Sequence, residues 1–198
     1  MKNISYVLIL AGLILLSSCQ GKQQQPQVKT NSKTDVEKLL DAYQNKDWET
    51  VVEIGDTLIG ENDTINLTIP YAEASAATGN PQKALSLLNK KLESNPDDYY
   101  LYQTIGNVYF TMEKYDSALI NYEKVIEIKP TYARPYIYEG EIYELLGDKN
   151  KAIANYLVAT KLFAANNLYE ETIEYGNRVL SLDPTNAEAK ELLGIESN

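Results

Sequence analysis

Three kinds of side chain in this 198-residue chain have chemistry beyond packing: one cysteine, Cys19; a close run of carboxylates, Glu139, Glu141 and Glu144; and 16 tyrosines. Histidine is absent from the sequence, which removes the commonest general base near neutral pH and the commonest transition-metal ligand. Carboxylates alone can hydrolyse a glycoside, but only as a pair facing each other across a cleft with their pKa values pushed apart. Glu139, Glu141 and Glu144 are instead neighbours along one stretch, the pattern of ordinary surface charge. No dense Asp/Asn loop has the ligand spacing of a calcium site. The expectation is a protein that is not an enzyme and has no metal and no cofactor.

Cys19 has no second cysteine to pair with. It follows Lys2, an unbroken apolar run from Tyr6 to Leu16, and the small residues Ser17 and Ser18. This order is that of a signal peptide, and the run is well short of the roughly 18 to 20 apolar residues that a spanning helix needs. Leu16-Ser17-Ser18-Cys19 resembles the bacterial lipobox. That resemblance implies a leader of residues 1–18, cleavage before Cys19 and fatty-acyl (palmitate-type) lipid on the cysteine. Several acyl chains give stable anchoring where one holds only marginally. Residues 19–34 then form the lipidated cysteine and a polar linker containing Pro26, with an r.m.s. reach on the order of 20 Å. Gln20 after the cysteine points to the outer membrane, facing the periplasm.

No acidic residue precedes Asp35, while Lys2, Lys22, Lys29 and Lys33 all do, so residues 35–198 carry 14 basic and 28 acidic side chains, a net −14. Such a surface repels phosphate backbones, which argues against nucleic-acid binding.

The tyrosines are ordered by a repeat. Ala84, Ala118 and Ala152 stand 34 residues apart, and the same step joins Pro96 to Pro130, Tyr102 to Tyr136, Gly106 to Gly140, Tyr109 to Tyr143 and Tyr122 to Tyr156. Within 99–132, Tyr102, Ile105, Gly106 and Tyr109 lie at helical spacing, then a polar break at Glu113-Lys114, then Tyr115, Ala118, Tyr122 and Val125 on one face before Pro130. Two antiparallel helices per unit follow, with Gly106 and Ala118 small where the pair comes close. Pro70 falls inside a first helix and predicts a late start near Ile69. After Ala152 the register breaks: Pro130 to Pro184 is 54 residues, not 68. One helix either serves two roles or has been lost. The spacing predicts a long helix over Lys149 to Ala165, another from Leu168 to Leu182, and a short one from Asn186.

These residues resemble the tetratricopeptide (TPR) repeat, an all-α fold in which helical hairpins stack into a right-handed α-α superhelix. The TPR domain would cover 35–198, with units at about 32–64, 65–98, 99–132 and 133–166 and irregular helices after them. The match is close at 99–152, fair at 65–98 and poor at 32–64, as an atypical end unit would be. Tyr102, Tyr109, Tyr115, Tyr122, Tyr136, Tyr143 and Tyr156 fall at packing positions. In the family the concave groove is lined from the first helices, which implies Asn66, Ile69, Glu73, Tyr100, Gln103, Asn107, Phe110, Arg134, Ile137, Glu141 and Glu144; Tyr132 and Tyr138 also turn that way. Rings with amides and one Arg suit an extended peptide. The lysine and asparagine clamp of chaperone-binding repeats is not supported: only Asn107 matches, against Ile69, Gln103 and Ile137.

The resemblance implies a lipid-anchored scaffold for protein partners in envelope assembly or secretion. Two alternatives are an accessory lipoprotein for glycan capture, with Tyr100, Phe110 and Tyr138 stacking on sugar rings, and an enzyme or regulator of a cell-wall enzyme.

Overall fold

The computed structural model describes residues 33–59 and 67–195. Cys19, the linker and the groove candidate Asn66 lie outside the described residues. Among those described, the chain is helical without strands: α1 (Lys33–Gln44), α2 (Trp48–Leu58), α3 (Thr68–Ala77), α4 (Pro81–Ser94), α5 (Tyr99–Thr111), α6 (Tyr115–Ile128), α7 (Arg134–Leu145), α8 (Lys149–Ala165), α9 (Tyr169–Leu182) and α10 (Ala187–Leu192).

One turn is used again and again. Lys46, Gly79, Glu113, Gly147 and Asn167 all have positive φ, between 57° and 85°. In each case the next residue donates its N–H to the carbonyl five residues back: Asp47 to Ala42, Asn80 to Ser75, Lys114 to Tyr109, Asp148 to Tyr143 and Leu168 to Phe163. This left-handed closure satisfies carbonyls that the helix end leaves open. Two of the five incoming helices are capped in turn, the carboxylates of Asp47 and Asp148 accepting from the N–H groups of Thr50 and Lys151. Each such cap contributes on the order of 1 kcal/mol.

The fifth turn answers the broken register. Asn167 closes α8 onto α9 with the geometry that Gly147 uses to close α7 onto α8. Helix α8 packs along both neighbours, and α10 sits against α8 and α9 as the next first helix would. It is the second helix of one hairpin and the first of the next, so one helix serves two roles. Its span, Lys149–Ala165, is the one read from the sequence. Pro70 stands in the first turn of α3, which starts at Thr68; the N–H that proline lacks is one that no helix bonds internally.

The core is a chain of local clusters, not one centre. Leu39, Val51, Leu58 and Ala74 join α1 to α3; Ala72, Ala84, Leu88, Leu101, Ile105 and Val108 join α3 to α5; Ala118, Tyr122 and Ile142 join α6 to α7; and Ile137, Ala152, Tyr156, Ala159, Val179 and Ala189 join α7 to α10. Fully burying one of these larger side chains contributes about 1.5 to 3 kcal/mol. Within the regular units a glycine holds the helices close. A Cβ on Gly106 would lie 2.5 Å from the Tyr122 ring, and one on Gly140 2.7 Å from the Tyr156 ring. Tyr122 and Tyr156 are at most 1% exposed, so neither ring has room to move aside.

Candidate functional site

The first helices α3, α5 and α7 place their predicted groove residues in matching registers, but the surroundings differ along the array. The ninth position of each unit shows this best, running Glu73, Asn107, Glu141. The Tyr43 hydroxyl donates to the Glu73 carboxylate. The Tyr122 hydroxyl donates to Asn107 Oδ1 at 2.9 Å. Among the described residues Glu141 accepts from no tyrosine and forms no ion pair.

Other candidates are also committed within the fold. Ile69 packs against the α3 to α5 cluster. Gln103 is only 8% exposed, with Oε1 lacking a hydrogen-bond partner among the described residues. Phe110 lies on Tyr115 with ring centres 5.9 Å apart. Glu144 holds Arg178 through Nε at 3.0 Å and Nη2 at 2.8 Å, and accepts the Tyr156 hydroxyl at 3.1 Å. These residues build the wall of the array.

Hollows open in two regions, one of about 570 Å³ at Gly55, Asp56, Tyr71 and Lys83 and one at the carboxy-terminal end that gathers predicted groove residues. Arg134, Ile137, Tyr138 and Glu141 of α7 meet Phe163 of α8 and Leu168, Glu171, Glu174 and Tyr175 of α9 around a pocket of about 560 Å³, with Tyr132 at its edge. A second concavity of about 400 Å³ lies beside it, sharing Glu141, Glu174 and Tyr175 as walls and lined beyond them by Tyr156, Asn177, Arg178 and Ser181. Aromatic rings line the first: Phe163 and Tyr175 stack at 5.6 Å, and Tyr138 stacks on the buried Tyr122 at 5.1 Å. Burial pushes the Glu141 carboxyl above its ordinary value, and the charge of Arg178 draws it partly back. Next to the pocket's rim, Tyr100 is 49% exposed and lies 4.2 Å from Tyr99 and 6.3 Å from Tyr132, ring centre to ring centre.

The three carboxylates read together in the sequence separate in the structure. Glu141 lines the pocket, Glu144 is bound to Arg178, and Glu139 is 8% exposed on another face of α7. Surface charge is therefore the wrong description of Glu139. Burial raises its carboxyl to about 7, helped by the charge of Glu123, and Oε1 finds no hydrogen-bond donor among the described residues.

The sequence placed Arg134, Ile137, Tyr138 and Glu141 in the groove, and the structure brings these four together. Sequence reasoning missed Phe163, Leu168, Glu171, Glu174 and Tyr175, the whole opposite wall. Asn167 carried the signal: a residue tolerant of left-handed φ, 20 after Gly147, restarts the register at α8 and turns α9 toward the groove.

Residues 106–147 match the family model for the TPR repeat. Among curated relatives, the chain is 29% identical over 97 residues to heat shock protein STI1 of Saccharomyces cerevisiae, covering 48% of this chain and 16% of that protein. It is 26% identical over 133 residues to superkiller complex protein 3 of Mus musculus, covering 65% of this chain and 8% of the relative. The chain thus spans less than a fifth of the length of these relatives. Among solved structures, MamA AMB-1 superposes with a TM-score of 0.57 at 20% identity, over 80% of this chain and 96% of that one. A thermophilic TPR protein of Thermus thermophilus superposes at 0.56 and 16% identity, over 81% and 96%. Hairpin geometry, repeat step and these superpositions agree: the chain has the all-helical fold of a TPR solenoid.

Proposed function

We propose that this protein is a non-enzymatic adaptor that holds polypeptide partners along the tyrosine-lined face of α5 and α7 and in the pocket closed by α9. The observation that carries this reading is the pocket itself. It combines rings, which give contact area at low entropic cost, with carboxylates that form no ion pair among the described residues. Two adjacent concavities with a common wall at Glu141, Glu174 and Tyr175 suit an extended segment better than a compact ligand.

The sequence at Cys19 supports an anchor as part of the same reading. A lipid on Cys19 and a short polar linker would hold the array just off a membrane, in the cell envelope and on the periplasmic side of the outer membrane, where partners of envelope assembly or secretion pass. None of the helices among the described residues is long and apolar enough to cross a membrane.

Cross-linking and pull-down from solubilised envelope test the adaptor role. Defined protein partners should be recovered with the wild-type chain and depleted with Tyr100→Ala/Tyr138→Ala, at unchanged helical content; equal recovery with that variant would refute the groove. Metabolic labelling with a fatty-acid analogue tests the anchor. Wild type must take up label and Cys19→Ser must not.

A further inference from the structure

We propose that the pocket between α7, α8 and α9 receives a lysine or arginine side chain of an extended, basic partner segment, held between aromatic faces and the carboxylates Glu141 and Glu174. This inference rests on the polypeptide-binding reading above and adds the chemistry of what is bound.

The charge count comes first. Glu141, Glu171 and Glu174 line the pocket with Arg134 as the cation there. Arg178, the next cation along, already has both its Nε and Nη2 on Glu144 at 3.0 and 2.8 Å. No ion pair forms at Glu141, Glu171 or Glu174 among the described residues, while the smaller concavity brings Glu141 and Glu174 to the same ring, Tyr175. The phenol of Tyr175 reports their closeness: burial raises its pKa first, the charges of Glu174 and Glu141 raise it further, and the charge of Arg134 draws it partly back. A site left with surplus negative charge in a partly desolvated hollow attracts a cation and repels phosphate or a terminal carboxylate.

The rings supply the second half. Tyr175 stacks between Phe163, 23° between planes, and Tyr156, 29°, and Tyr138 is held flat on Tyr122 at 19°. Tyr138 and Phe163 line the pocket in fixed orientations, and a Lys or Arg over the face of such a ring is attracted by its quadrupole. The array already uses this contact on itself: Lys151 Nζ lies 4.7 Å from the Tyr143 ring centre and Lys129 Nζ 4.4 Å from that of Tyr99. The occupant is a chain, not a small cation, because two hollows of about 560 and 400 Å³ lie side by side with Glu141, Glu174 and Tyr175 as their common wall.

Fluorescence anisotropy with the full chain tests the proposal, using three labelled decapeptides that alternate Leu with Arg, Gln or Glu. The Arg peptide should bind at least tenfold more tightly than the Gln peptide, and the Glu peptide more weakly still. Glu141→Gln/Glu174→Gln should weaken the Arg peptide at least tenfold. The charge-matched Glu49→Gln/Glu53→Gln, two exposed carboxylates on α2, should change it less than twofold. Equal losses in the two variants would overturn the proposal in favour of diffuse attraction to an acidic protein, and displacement by equimolar spermine would overturn it in favour of a small polycation. If the Gln peptide binds as well as the Arg peptide and Tyr138→Ala abolishes both, the basic pocket fails while the polypeptide groove stands. Binding of none of the three counts against both.

Discussion

Helices α5 and α7 are the same element one repeat apart, and each lays one face on the hairpin before it. On α5 that face is Leu101, Ile105 and Val108, each 2% exposed, set against Ala84 and Leu88. On α7 the matching residues are Pro135, Glu139 and Ile142, with Ile142 set against Ala118 and Tyr122. A carboxyl therefore stands where an isoleucine stands one unit earlier. Backbone geometry, the glycine and tyrosine lock and the closing turn are shared, so the hairpins tolerate the exchange without changing their stacking. The difference is energetic: the first seam is oily at every pH, and the second titrates.

The largest effect should come from making the first seam like the second. Ile105→Glu buries an unpaired carboxyl and is expected to cost about 4 kcal/mol at pH 8, measured by urea unfolding. Making the second seam like the first works in the opposite direction. The folded-state pKa of Glu139 is raised from 4.5 to about 7, so its contribution is fully present below pH 4.5 and is lost as pH rises through 7. Glu139→Leu should therefore stabilise by about 3 kcal/mol at pH 8, with most of the gain gone near pH 4.5. A pH-independent difference between the two proteins would remove the titrating seam. Where the units agree, substitution should cost the same in both: Gly106→Ala and Gly140→Ala are each expected to lose about 2 kcal/mol as Tyr122 and Tyr156 are displaced. A large inequality would show that the two locks are not equivalent. The smallest effect is at the turn. Glu113 holds φ at 57° where Gly147 holds 79°, so Glu113→Gly should raise stability by about 0.5 to 1 kcal/mol, read as a small rise in Tm.

Most of the fold was legible because the repeat writes it several times. Pro70 forecast the start of α3 to within one residue, and the polar break at Glu113-Lys114 marked a turn that carries no glycine. The span of α8 follows from Lys149 and Ala165, whereas its double role rests on Asn167, whose left-handed backbone repeats that of Gly147. The site was legible by half. Arg134, Ile137, Tyr138 and Glu141 follow from register alone, because register fixes which way a side chain points. Register does not fix what meets it: Glu73, Asn107 and Glu144 point as expected and are taken by Tyr43, Tyr122, and Arg178 with Tyr156. Glu139 was grouped with its neighbours in sequence, whereas its counterpart 34 residues back, Ile105, describes its surroundings.

The shared helix α8 also bears on how the array comes apart. In a stack whose stability is a sum over neighbours, each boundary between hairpins is a place where unfolding can stop. A helix that belongs to two hairpins deletes one such boundary. Helices α7, α8 and α9 must therefore open as one cooperative block, since releasing α9 strips α8 of half its support and releasing α7 strips the other half. Amide exchange should report one common protection level across residues 134–182 and a separate, lower one for α1 and α2; graded protection from α7 to α9 would contradict this. The groove wall built from these three helices then persists or vanishes as a unit, so partial fraying cannot leave half a binding surface behind.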